Sequence, residues 1–284
     1  MCNNPKVSVL MPVYNTNGEY LKEAIESILN QTYKDFEFLI ADDGSENEET
    51  KSVLQSFIGR DERLKIMFEK HSGVGLTRNK LLESAKGEYC AIMDSDDISL
   101  PQRLEKEVGF LDKNPEISVL GASIEIFPQK QVLHYIESPK YFNLLQFCCI
   151  GNPTAMYRRA DFLKYDLKYK SGYNCDDYEL WSRAIRYLKF YNIREVLVKY
   201  RWHGKNISTP TKEFLAQDLS VKKQMIDFLT DDNKLKEKLK IILNLVPAKK
   251  DSFWEQIFSV KNEAMHKVIT ILRIKIKFRR MQNI

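Results

Sequence analysis

The chain has 284 residues, long enough for one large domain with a sizeable core, or for one domain with an appendage. Its composition, 43% hydrophobic and 29% charged, is that of a soluble globular protein, and no uninterrupted apolar run of about 18 residues predicts a transmembrane span. The net charge of +5 sits mostly in residues 251–284, where seven Lys/Arg face three Asp/Glu; the nearly neutral remainder (37 basic against 36 acidic groups) excludes a nucleic-acid-binding domain, whose basic groups would line the folded body.

Residues 6–13 (KVSVLMPV), 36–41 (FEFLIA), 64–68 (LKIMF) and 88–93 (EYCAIM) read as strands. Between them, residues 19–31, 49–58 and 74–85 carry apolar side chains at helical spacing. Strand alternating with helix predicts βαβ units, and so an α/β fold whose mostly parallel sheet has helices on both faces. A helix over 101–114, with Pro101 near its first turn, and a strand over 117–127 come next. Beyond about residue 128 the pattern loosens into loops, with a helix over 176–188 and a strand over 190–202. From residue 212 onward the reading is helical to the end. The five cysteines are odd in number and form no C-x-x-C pair, and the opening MCNNPKVSVLMPVYN is no signal peptide. These features predict a reduced, cytoplasmic chain without a zinc site.

Three strands deliver polar residues at their carboxyl ends. The first ends in Pro12, Tyr14 and Asn15, the second in Asp42, Asp43, Gly44 and Ser45, the fourth in Asp94, Ser95, Asp96 and Asp97. Open parallel sheets bind ligands in the crevice beyond those ends. Three carboxylates within four residues repel one another unless water or a cation sits on them. A nucleoside diphosphate in the same crevice would need a divalent cation between, and oxygen ligands with phosphate point to Mg²⁺ or Mn²⁺. Such an ion also stabilises a departing diphosphate. Neither G-x-G-x-x-G after the first strand nor G-x-x-x-x-G-K-[ST] occurs, which argues against a Rossmann dehydrogenase and a P-loop NTPase.

The segments VSVLMPVYN, QTYKDFEFLIADDGS, GVGLTRNKLLESAKGEY, DSDDISLPQRLEKEV, CDDYELWSRA and RWHGKNIS occur in that order, and together they resemble glycosyltransferase family 2 over about residues 5–210. The resemblance implies a GT-A fold and an inverting transfer of one sugar from a UDP-sugar to a glycan or lipid-linked acceptor, of the kind used in lipopolysaccharide, capsule or O-antigen synthesis. It implies a catalytic domain over 1–210, with a nucleotide-binding half to about 128 and an acceptor-side half over about 129–210, then a helical basic extension over 211–284. Pro12, Tyr14 and Asp43 would hold uracil and ribose, with Asp42 a support or second contact and Asn15 and Ser95 nearby. Arg78 would neutralise phosphate or clamp the base. Asp94 and Asp96 match the family's D-x-D, Asp96 being the direct metal ligand, and His203 matches a late histidine that completes the metal shell. Asn152 would lie beside the donor sugar, and residues 169–174 would flank the acceptor.

Inversion by single displacement needs one carboxylate to take the acceptor hydroxyl proton. The candidates are Asp176 and Asp177. Asp176 followed by Glu179 makes a plausible helix-capping pair, which leaves Asp177 in the first turn and free to face the crevice. The family usually reads Glu-Asp here, with the base second, so the resemblance also assigns Asp177.

The tail at 266–281 interleaves Val268, Ile269, Ile271, Leu272, Ile274, Ile276 and Phe278 with six Lys or Arg. Two readings stand: the apolar side packs on the catalytic domain, or it enters the cytoplasmic membrane interface beside anionic lipid. The concentration of charge there favours the membrane. The sequence leaves the oligomeric state open.

Overall fold

The computed structural model describes residues 4–204, 206, 207, 209 and 211–242. Its first half alternates as expected: β1 (Val7–Val13), α1 (Gly18–Leu29), β2 (Phe36–Asp42), α2 (Glu48–Phe57), β3 (Leu64–Phe68), α3 (Val74–Ser84) and β4 (Tyr89–Ile92). These strands pair in parallel in the order β3-β2-β1-β4. β1 is buried along its whole length, which accounts for its continuous apolar run. Successive side chains feed opposite cores: Val9 and Met11 join Ile25 of α1 and Leu54 of α2, whereas Leu10 joins Leu81 of α3. Asn17 starts α1 by accepting from the N–H groups of Glu19 and Tyr20, and Asn47 starts α2 by accepting from Thr50 N.

The second half adds β5 (Ile98–Ser99), α4 (Arg103–Lys113), β6 (Val119–Phe127), β7 (Gln131–Leu133), α5 (Tyr141–Gln146), a 3-10 turn (Asn152–Thr154), β8 (Met156–Arg158), α6 (Arg159–Lys164), α7 (Asp176–Ala184) and β9 (Phe190–Arg201). The parallel run stops at β4. The short β8 inserts antiparallel between β4 and β6, β6 and β9 pair in parallel, and β5 and β7 pair antiparallel with β9 and β6. The sheet is therefore parallel from β3 to β4 and mixed beyond, with helices on both faces.

The helical reading beyond residue 212 is two helices, α8 (Lys212–Leu229) and α9 (Asn233–Ile242). Asp232 separates them by accepting from the N–H groups of Lys234 and Leu235. α8 buries Val221, Met225, Ile226 and Leu229 in the core shared with α3 and α7, and Tyr141 of α5 donates to its Met225 carbonyl at 2.9 Å. No helix among the described residues is long and apolar enough to cross a membrane. The basic segment 266–281 lies outside the described residues.

Candidate active site

Because β2, β1 and β4 are parallel neighbours, their carboxyl ends open on one edge. On the β2 side, Asp42 closes a tight turn by accepting from Ser45 N, and Gly44 supplies the positive φ of 75° that the turn needs. A Cβ at Gly44 would also lie 2.9 Å from His71 N. Asp43, 2% exposed, accepts from the backbone N–H of Ser72 and Gly73 at 2.8 Å each, at the entrance to α3. Burial pushes its carboxyl up, but these bonds outweigh it and hold the pKa below its ordinary value. His71 Nδ1 lies 2.9 Å from the same carboxylate, and its ring stacks on exposed Tyr14 at 4.3 Å.

Asn15 is a cross-brace. Its side-chain oxygen accepts from Glu46 N and Asn47 N, and its own N–H donates to Ser45 Oγ, which binds the end of β1 to the loop after β2. Pro12 is buried in β1, opposite Ala41 of β2. Tyr14 thus presents the aromatic face of this side, with Asn15 and the two aspartates as its frame.

Beyond β4 the acidic residues take different roles. Asp94 accepts from Arg78 Nη2 at 2.9 Å. The Ser95 hydroxyl lies 2.7 Å from that of Thr16. Asp96 Oδ2 lies 2.9 Å from His203 Nε2, so the loop after β9 brings the late histidine onto the acidic strand end. Burial and then the charge of Asp94 push the Asp96 carboxyl up, while His203 opposes them. Asp97 is buried and faces inward, accepting from Arg201 N at 2.8 Å, and burial pushes its carboxyl well above the ordinary range. Arg201 Nε donates to Asp96 O at 2.7 Å, so one arginine at the end of β9 shapes the whole turn.

Among the described residues no three His, Cys, Asp or Glu side chains converge as a complete metal cage. Asp96 and His203 do converge, each with about a quarter of its side chain open to solvent (26% and 23%). A divalent ion that draws its other ligands from diphosphate and water needs no more than one or two protein donors, so the pair fits one.

Across the crevice, Arg78 is buried between two carboxylates, donating from Nη1 to Asp176 at 2.7 Å and from Nη2 to Asp94 at 2.9 Å. Burial disfavours its charge, but Asp176 and then Asp94 outweigh that and keep it cationic. Gly75 allows this approach, since a Cβ there would sit 3.2 Å from Asp176 Oδ2 and 3.3 Å from Lys170 O. The bridge corrects the expected capping pair. Cys175 holds the cap position of α7 without a side-chain bond, Asp176 serves Arg78, and Glu179 accepts from Arg183 at 2.8 Å and Lys170 at 2.8 Å. A buried cation attracts a carboxylate more strongly than one helix-end N–H does.

Asp177 follows at the start of α7, where its Oδ1 accepts from Tyr178 N at 2.7 Å. Burial, then the adjacent charge of Asp176, push its carboxyl up to about 7, with Arg78 opposing. Asn152 opens the 3-10 turn, 7% exposed, its side-chain oxygen buried without a hydrogen-bond partner among the described residues. Arg201, although it opens the RWHGKNIS segment, and His71 both shape this edge, and the sequence assigned a role to neither. A lone arginine at a strand end and a histidine in a loop carry no periodic signal.

A family model, that of Glycosyl transferase family 2, matches residues 8–175. An uncharacterized glycosyltransferase of Methanocaldococcus jannaschii is 36% identical over 212 residues, covering 70% of this chain and 71% of the relative. The O-antigen biosynthesis glycosyltransferase WbnJ of Escherichia coli is 33% identical over 208 residues, 70% of this chain and 81% of WbnJ. The crystal structure of S. aureus TarS residues 1–349 in complex with UDP-GlcNAc superposes with a TM-score of 0.67 at 21% identity, covering 84% of this chain and 72% of that one. Likeness at that identity establishes the fold.

Proposed function

We propose a reaction for this chain, which belongs to glycosyltransferase family 2: the inverting transfer of one sugar from a UDP-sugar to a glycan or lipid-linked acceptor. The observation that carries the reading is the Asp94–Arg78–Asp176 bridge, which ties the acidic loop to the helix start bearing Asp177. Asp177 takes the proton of the acceptor hydroxyl as its oxygen bonds to the anomeric carbon from the face opposite the departing diphosphate. The bond from that carbon to the phosphate oxygen breaks in the same step, and UDP leaves with the electron pair. A carboxyl at about 7 is well poised for the task near neutral pH.

Tyr14 is the stacking face for the uracil, with Pro12, Asn15, Asp42 and Asp43 framing the base and ribose, and Ser95 and Asn152 further contacts along the donor. Asp96 and His203 are the residues that would hold Mn²⁺ or Mg²⁺, with Asp94 beside them. When bound, that ion neutralises the diphosphate as it departs. The UDP assignment draws on the likeness to a protein solved with UDP-GlcNAc, and the glycan class on the likeness to an O-antigen enzyme. The basic segment 266–281 is proposed as an anchor to anionic lipid, which would bring a lipid-linked acceptor to the same surface.

A thermal-shift screen of UDP-, GDP- and dTDP-sugars, with and without Mn²⁺, tests the donor class, because a ligand that binds only the folded state raises Tm. Stabilisation by UDP-sugars only with Mn²⁺ is expected; a response confined to GDP- or dTDP-sugars would overturn the assignment. Flotation of the full chain on anionic liposomes, against a chain ending at Pro247, tests the anchor: equal flotation of the two, or none at low salt, would remove it.

A further inference from the structure

Between β7 and α5 the chain crosses back over the sheet, held on both sides of Tyr135. Before it, His134 Nδ1 lies 2.8 Å from Ser123 Oγ of β6. After it, Ile136 O accepts from the Asn192 side-chain amide at 2.6 Å, and Glu137 O accepts from Asn192 N at 2.7 Å. The same side-chain amide donates to Cys149 O at 3.0 Å. One buried residue of β9 therefore fixes both the Tyr135 segment and the loop that leads to Asn152. Asn192 reaches them because Gly121 has no side chain; a Cβ there would collide with Asn192 Oδ1.

Gly151 makes room in the same way for the tyrosine itself. A Cβ at Gly151 would fall 2.8 Å from the Tyr135 hydroxyl and 2.9 Å from ring carbon Cε2. The phenol is thereby laid on the loop beside Asn152. Its hydroxyl makes no hydrogen bond among the described residues and is not sealed from solvent. Its electrostatic neighbours are Cys148, Asp177, Tyr200 and Asp97. Asp177 marks the side from which the acceptor attacks, and Asp97 the end of the acidic loop. Geometry agrees: Ile92 N donates to Ala155 O at 2.8 Å, which seats the loop of Gly151 and Asn152 against the carboxyl end of β4, just before the acidic residues.

A sugar hydroxyl both donates and accepts, and this loop offers a match: a phenol free to donate, and beside it the buried side-chain oxygen of Asn152, an acceptor without a hydrogen-bond partner among the described residues. We propose that Tyr135 is a positioning residue for the transferred sugar, acting with Asn152 to hold one hydroxyl of the nucleotide-activated hexose. The inference rests on the UDP-sugar reading above and adds a residue to it. An unpaired buried acceptor is costly, so filling it gives the sugar, but not UDP, a reason to bind here.

The test is calorimetric titration, with Mn²⁺ present, of UDP and of a panel (UDP-GlcNAc, UDP-GalNAc, UDP-glucose and UDP-galactose) into wild type, Tyr135→Phe and Gly151→Ala. Tyr135→Phe keeps the ring and removes only the hydroxyl. Gly151→Ala leaves Tyr135 intact but displaces it, at a backbone φ of −72° that alanine accepts. Both should bind UDP as wild type does while losing about fivefold in affinity for the best-bound UDP-sugar, the scale of one hydrogen bond. Unchanged UDP-sugar affinity in Tyr135→Phe, or equal losses for UDP and UDP-sugar, would overturn the role. If wild type fails to bind UDP at all, the donor assignment itself falls, and the role of Tyr135 with it.

Discussion

Arg78 and Asp176, 98 positions apart in sequence, meet at 2.7 Å with only 7% of either side chain exposed. The pair joins α3 to the start of α7. Its removal from one side should therefore be felt in both elements. Asp176→Ala strands a buried guanidinium with one carboxylate and should cost about 3–5 kcal/mol, the range for breaking a buried pair. Asp176→Asn keeps an acceptor and should cost about 1–3 kcal/mol. Urea unfolding measures both, and equal small losses would mean that the pair does not stabilise the fold.

Asp177 sets the pH dependence. Its carboxyl is raised to about 7, chiefly by burial and next by Asp176. The base works deprotonated, so kcat/KM should climb with pH up to about 7 and level off above it. In Asp176→Asn one of the raising charges is gone, and the climb should shift to lower pH. Asp177→Asn should retain donor binding while transfer falls about a hundredfold or more. Linkage gives a second readout. A carboxyl whose folded pKa is raised stabilises the fold below its ordinary value and loses that contribution as pH rises through about 7. Asp177→Asn should accordingly melt above wild type at pH 8, and a lower Tm there would contradict the raised pKa.

Asp96 and His203 should be inseparable from the metal. EDTA should abolish transfer and Mn²⁺ or Mg²⁺ restore it. Asp96→Ala should lose the Mn²⁺-dependent part of UDP binding, measured as the Tm shift given by UDP with and without the ion. Full transfer in EDTA would leave the Asp96–His203 contact (2.9 Å) a structural pair only.

Arg103 and Glu107 form a fully buried pair on α4, 0% exposed on both sides. Arg103 also donates from Nη2 to Ile92 O at 2.8 Å, just before the acidic loop. Arg103→Met should cost about 3–5 kcal/mol, because the Glu107 carboxyl, which burial already raises to about 7, loses its partner and must take up a proton to stay buried, whereas the double change Arg103→Met with Glu107→Leu should recover much of that loss. Denaturant unfolding of the three proteins decides it: a double variant no more stable than the single one would argue against the pair's electrostatic origin.

Local patterns in the sequence were enough for the first half of the fold. The buried strands β1, β2 and β4 announce themselves as apolar runs, and α1 carries Leu21, Ala24, Ile25 and Ile28 at helical spacing. The polar ends of those strands were also expected on one edge, and they share it because β2, β1 and β4 are parallel neighbours. The short β8 and β5 escaped because pairing with β4, β6 and β9 makes them strands, and two or three residues hold no period of their own. The site divides along the same line. The acidic cluster at 94–97 is a local pattern, so the sequence alone named it. Which partner each carboxylate takes was decided by tertiary contacts: Arg78 claims Asp94 and Asp176, His203 meets Asp96, and Arg201 turns Asp97 inward. Each of those contacts joins residues at least 16 positions apart, whereas helix and strand periods extend over only a few. A buried charge takes the nearest opposite charge in space, and that neighbour exists only once the chain has folded.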